Sequence, residues 1–80
     1  MHELGVLNQV VKAVIRTAEQ NRICRIRYIT LEVGDASGYV PHYLQKLFPV
    51  AADRFPALQG ADLRLQTVPG KGLLIKDIGY

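Results

Sequence analysis

The stretch Ile26-Arg27-Tyr28-Ile29-Thr30-Leu31-Glu32-Val33 decides the fold. Ile29, Leu31 and Val33 alternate with Tyr28, Thr30 and Glu32, a period of two that sends one set of side chains to a covered sheet face and the other to an open one. The pattern predicts a strand over Ile26–Val33, and a strand of this kind needs a partner layer for its apolar side. The preceding segment supplies one. From Leu4 to Gln20, Leu4, Leu7, Val11, Val14 and Ala18 recur at steps of three and four, with Val10 and Ile15 widening the stripe, while Asn8, Lys12, Arg16 and Glu19 fall elsewhere. This is an amphipathic helix built to cover a sheet. Asn21 suits the left-handed residue that ends a helix, and Arg16 lies near the negative end of its dipole.

Downstream, Gly34-Asp35-Ala36-Ser37-Gly38 is turn chemistry, and it lacks the spacing of a phosphate-cradling loop. A second helix is predicted from Pro41, whose fixed φ fits a first helical position, with Leu44, Leu47, Phe48 and Ala51 facing inward. Pro49 lies inside it and predicts a kink or break near Phe48. Pro56 and Gly60 mark a loop. Two strands then follow at Ala61–Val68 and Leu73–Ile78, and Pro69-Gly70-Lys71-Gly72 between them reads as a hairpin turn. The predicted architecture is α+β: one domain over residues 1–80, with two helices packed on one face of a three-stranded sheet in the chain order α-β-α-β-β.

With 80 residues, 49% hydrophobic and 21% charged, the chain has a small core whose stability is open to partners, so docking or a homodimer is allowed. No apolar run reaches the roughly 20 residues of a membrane span and no secretory signal pattern is present, which points to the cytoplasm. Cys24 is the single cysteine, so neither an internal disulfide nor a thiolate zinc site is expected. The net charge of +3 includes Arg22, Arg25 and Arg27 at the start of the predicted strand. Without a groove-reading motif or interleaved aromatics these arginines predict a solvated basic edge that discourages strand addition, and no nucleic-acid partner.

The chemistry is concentrated at Met1-His2-Glu3. A free α-amine, the amide of His2 and its imidazole can close fused chelate rings on one metal ion, and the Glu3 amide or carboxylate can take a fourth position. Such nitrogen donors favour Ni(II) and Cu(II), both of which accept square-planar geometry. The donors must lose protons to bind, so affinity falls in acid.

Met1-His2-Glu3-Leu4 opening a helix, then Leu31-Glu32-Val33-Gly34, Ser37-Gly38, Val40-Pro41, Phe48 and Gly60-Ala61-Asp62-Leu63, together resemble the nickel-binding domain of hydrogenase maturation proteins of the HypA/HybF type. The resemblance covers almost the whole chain. It implies a nickel metallochaperone that helps load the [NiFe]-hydrogenase large subunit, working with a nickel-related GTPase and in some cases serving urease. By position it makes His2 the nickel ligand through imidazole and amide, with Met1 and Glu3 supplying amine, amide or carboxylate donors. Family members insert a zinc ribbon with two Cys-x-x-Cys pairs before a returning strand. Here Thr67-Val68-Pro69 passes through Gly70-Lys71-Gly72 directly into Leu73, as though the ribbon were replaced by a short turn, and zinc is not expected.

Other residues have plainer readings. His42 could add a donor but reads first as an exposed surface histidine; Glu32 reads as a solvated carboxylate and Asp35 as a turn residue. No Ser-His-Asp or Cys-His arrangement is apparent, so catalysis is not expected. Two functions remain: a nickel-delivery accessory protein, or a metal-free protein-protein interaction module on the same fold.

Overall fold

The computed structural model describes residues 2–80. Its elements are α1 (Glu3–Gln20), β1 (Tyr28–Gly34), α2 (Pro41–Ala52), a 3₁₀ helix (Pro56–Leu58), β2 (Asp62–Val68) and β3 (Leu73–Gly79). The predicted element order holds. Leu7, Val10, Val11, Val14 and Ala18 of α1 and Leu44, Phe48, Ala51 and Ala52 of α2 share one core with Ile29, Leu31, Val33 and Leu63 from the alternating positions of the sheet. Both helices therefore cover the same sheet face, and they also pack against each other.

The sheet order is β2-β1-β3, which corrects the predicted hairpin. β1 pairs in parallel with β2, Tyr28 facing Asp62 and Gly34 facing Val68. It pairs antiparallel with β3, Tyr28 facing Gly79 and Val33 facing Leu73. Strands β2 and β3 are consecutive in sequence yet never neighbours, because β1 lies between them. Residues 69–72 must then pass over the end of β1, and four hydrogen bonds fix residues 68–72 there. The Gly34 amide donates to Gly72 O at 2.7 Å, Asp35 to Val68 O at 2.7 Å and Ala36 to Gly70 O at 2.8 Å. In return the Gly70 amide donates to Asp35 Oδ1 at 3.1 Å. A side chain at Gly34 would run into the backbone of Gly70 and would stand 2.8 Å from Gly72 O. The turn reading of Asp35 holds, and its carboxylate closes the crossover.

Four further expectations change. Proline 49 does not break α2, which runs unbroken from Pro41 to Ala52. Only one turn follows Pro49, and Phe48, Ala51 and Ala52 anchor that turn in the core. The left-handed residue after α1 is Arg22, with φ 56°, not Asn21. Ile23 donates to Ala18 O at 2.8 Å and Arg22 to Glu19 O at 3.3 Å, which is the Schellman pattern with Arg22 in the position glycine usually takes. Asn21 instead turns its side-chain amide back to Thr17 O at 2.8 Å. Arg16 precedes the last turn of α1, which holds no basic residue. Finally, β1 is the central strand, so Arg25 and Arg27, just before it, cannot be guarding a sheet edge.

The open face of the sheet carries Tyr28, Thr30 and Glu32. Arg64 of β2 lies over the Tyr28 ring, 3.7 Å from its centroid, and a side chain at Gly79 would occupy the space of that same ring. Lys76 is the extra residue where the β1–β3 register shifts, and its Nζ reaches across β1 to Gln66 Oε1 at 3.1 Å.

Two substitutions test this account by urea denaturation. Arg22→Gly should raise stability by roughly 0.5–1 kcal/mol, since glycine takes a positive φ without the steric cost an L side chain bears. Gly34→Ala should lower it by about 2 kcal/mol, the scale of forcing a methyl group into closed space; an unchanged midpoint would mean that the crossover does not lie on Gly34.

Candidate metal centre

The N-terminal end of α1 is built by one long-range hydrogen bond. Glu3 was a predicted ligand, yet its carboxylate is turned inward: the residue is 7% exposed, and Glu3 Oε2 accepts from the Val40 amide at 3.0 Å. Leu4, predicted in the apolar stripe, is exposed in its stead. Val40 precedes α2 and has no side chain able to cap it, and the first turn of α2 contains no acidic residue. Glu3 thus performs from α1 what the distal Glu of a capping box performs within one helix, accepting from the residue at the N-cap. The Val40 N–H, and after it Glu3's own backbone N–H, hold the carboxyl below its ordinary range against the opposing push of burial.

His2 stands beside this anchor as the N-cap residue of α1, with φ −91° and ψ 77°. It is exposed. The first backbone bond of the helix runs from Val6 N to His2 O at 3.1 Å, so the amides of Glu3, Leu4 and Gly5 lie ahead of the helical ladder and have no partner within it. An ion bound by the amides of residues 2 and 3 would break no helical hydrogen bond. A helix N-terminus repels a bare cation, but amides that lose their protons on binding cancel the charge of a divalent ion, and the dipole then opposes little. Met1 lies outside the described residues, so its predicted amine ligand has no geometry here.

Other candidate ligands are dispersed. His42 is exposed in the first turn of α2, with its ring centroid 6.0 Å from that of Tyr43. Cys24 is exposed and free, and Asp35 is committed to Gly70. Among the described residues no group of three or more His, Cys, Asp or Glu side chains could hold a metal ion. Among the described residues, the exposed His2 imidazole is the side-chain nitrogen at the start of α1.

Residues 1–73 match the family of hydrogenase/urease nickel incorporation metallochaperones, HypA. The chain belongs to the HypA family. The HypA hydrogenase maturation factor of Geobacter metallireducens is 38% identical over 72 residues, covering 90% of this chain and 62% of that protein. That of Trichodesmium erythraeum is 36% identical over 72 residues, with 90% and 60% covered. The chain thus spans about three-fifths of the length of these HypA relatives. The solution structure of the Ni metallochaperone HypA from Helicobacter pylori superposes with a TM-score of 0.79 at 14% identity, covering 96% of this chain and 72% of that one. At that identity the likeness establishes the shared HypA fold.

What the sequence did not reveal is the partner of Glu3. The signal was indirect: Val40-Pro41 starts a helix with no capping side chain, so an acceptor has to come from elsewhere. The lowered carboxyl pKa of Glu3 has a testable sign. A group whose folded pKa is depressed contributes stability above its unfolded value, about 4.3, and that contribution is lost as pH falls through the lower folded value. Denaturation midpoints of the parent should therefore fall more steeply below about pH 4.3 than those of Glu3→Gln, which retains an acceptor for Val40 but cannot titrate. Parallel pH profiles would count against the Val40 contact as the cause.

Proposed function

We propose that the chain works as a single nickel-binding unit over residues 1–80, an accessory protein that carries Ni(II) for the maturation of a nickel enzyme, with a [NiFe]-hydrogenase as the foremost candidate. The observation that carries this reading is the division of labour at the start of α1, with the Glu3 carboxylate tied to Val40 and His2 exposed beside amides free of helical bonds. With the carboxylate engaged, the Glu3 amide is the better placed fourth donor. The set becomes the Met1 amine, the amide and imidazole of His2, and the Glu3 amide, a nitrogen-rich set suited to planar Ni(II).

Such a site serves delivery as well as capture. His2 is exposed, so an acceptor can approach its ring, and protonation of the amides on release returns them to the unliganded helix start. The protein partners in this reading are the hydrogenase large subunit and a nickel-related GTPase, met in the cytoplasm, and no structural zinc is needed to hold the fold. Neither of the chain's two histidines nor Cys24 is given a catalytic role.

The test is a nickel titration on protein whose first residue is Met1. About one Ni(II) per chain should bind above neutral pH, with a diamagnetic planar spectrum. Binding should be lost in His2→Ala and on placing one glycine ahead of Met1, while Glu3→Gln keeps it. Full-strength binding by His2→Ala would sink the assignment and turn attention to His42. Absence of nickel binding in the parent would instead favour the metal-free interaction module.

A further inference from the structure

The arginines that guard no edge line a cleft. Arg25, Arg27, Tyr28, Gln59, Asp62 and Arg64 border an open depression of about 470 Å³ where the chain enters β1. Three guanidinium groups face one carboxylate across it, so the cleft carries a net positive charge. Its location separates it from the proposed metal end, since Val40, which Glu3 holds, follows the far end of β1 at Gly34.

The backbone beneath the arginines is fixed on several sides. Ile26 donates to Ala57 O at 2.9 Å, Arg27 to Gly79 O at 2.7 Å, and Asp62 to Arg27 O at 2.9 Å. Ile26 is fully buried, while Arg25 and Arg27 on either side of it are exposed. Both arginines border the depression. Arg25 Nη2 is steadied by Gln59 O at 3.3 Å, and Arg64 is held on the Tyr28 ring. All three arginines border the one depression, over backbone that is already hydrogen-bonded.

We propose that this cleft docks an extended, carboxylate-rich segment of a partner protein, gripped by Arg25, Arg27 and Arg64. Three guanidinium groups against one carboxylate leave the depression complementary to a run of negative charge, and guanidinium groups pair with carboxylates in a planar, two-bonded geometry. Arg25 and Arg64 are each engaged by a different group, Gln59 O and the Tyr28 ring, so they are held at separate points of the depression and suit a chain better than a single phosphate. The ring face of Tyr28 that a nucleic-acid base would stack on is covered by Arg64, which favours a peptide over RNA. Because the supporting backbone is already ordered, little further ordering opposes docking. The proposal does not depend on nickel.

The experiment measures fluorescence anisotropy of a labelled peptide alternating glutamate and glycine, with chelator present and no nickel. Saturable binding that weakens with added salt is expected. It should fall about tenfold in the Arg25→Ala, Arg27→Ala double variant, the sum of two exposed ion pairs. Circular dichroism checks that the variant is folded. The Lys12→Ala, Arg16→Ala double variant removes equal charge from the exposed side of α1 and should leave binding within about twofold of the parent. No saturable binding overturns the proposal. An equal loss in both double variants overturns it as well, by showing attraction to net charge alone. Preference for inorganic phosphate or a short RNA over the peptide would overturn the carboxylate assignment.

Discussion

Everything in this fold depends on β1 being hydrogen-bonded along both sides. Among the described residues it is the only strand with two neighbours, parallel to one and antiparallel to the other, and its alternate side chains Ile29, Leu31 and Val33 form the floor of the core. Completing both ladders requires the chain to leave β2 and reach the far side of β1 in a few residues. That path exists because Gly34 has no side chain: the backbone of Gly70 and Gly72 lies where a Cβ would be. One missing methyl group thus permits the sheet order, and the sheet order gives α1 and α2 a common surface to cover.

The shared surface has a consequence at the start of both helices. Packed side by side, α1 and α2 bring Glu3 within reach of Val40 across 37 positions in sequence, and a carboxylate that could have served a ligand role is used to finish a helix terminus. The neighbouring His2 is left with an exposed ring and with backbone nitrogen ahead of the helical ladder. Tethering Glu3 while leaving its neighbour exposed sets the His2 ring on a fixed support.

Periodicity made much of this legible. The alternation at Tyr28–Val33 and the three-four spacing from Leu7 to Ala18 reflect burial directly, so the element order and the helix-covered face could be read from residues alone. Strand adjacency could not. A glycine-rich turn of four residues between two strands has the same composition whether it reverses the chain into a neighbour or steps over an intervening strand, and only the closeness of Gly34 to Gly70 separates the two. Pro49 misled because its effect depends on how much helix follows it and how firmly that part is buried. Arg22 misled in the opposite way, since nothing local marks an arginine for positive φ; the demand comes from the Ala18 and Glu19 carbonyls behind it. At the start of α1, His2 was named from its chemistry as a candidate ligand, whereas the tie from Glu3 to Val40 was invisible because no local pattern links them.

The crossover at residues 69–72 also has an architectural meaning. Strands β2 and β3 take their registers from β1 and not from each other, so the segment joining them carries no information about how the sheet pairs. Closing a longer flexible segment costs free energy only as the logarithm of its length, about 0.6 kcal/mol for each doubling. A sheet wired this way has a socket: its two outer strands end side by side across the tip of the central one, and a short bridge or a whole folded appendage can be fitted between them without disturbing the helices, the core or the terminus at the start of α1.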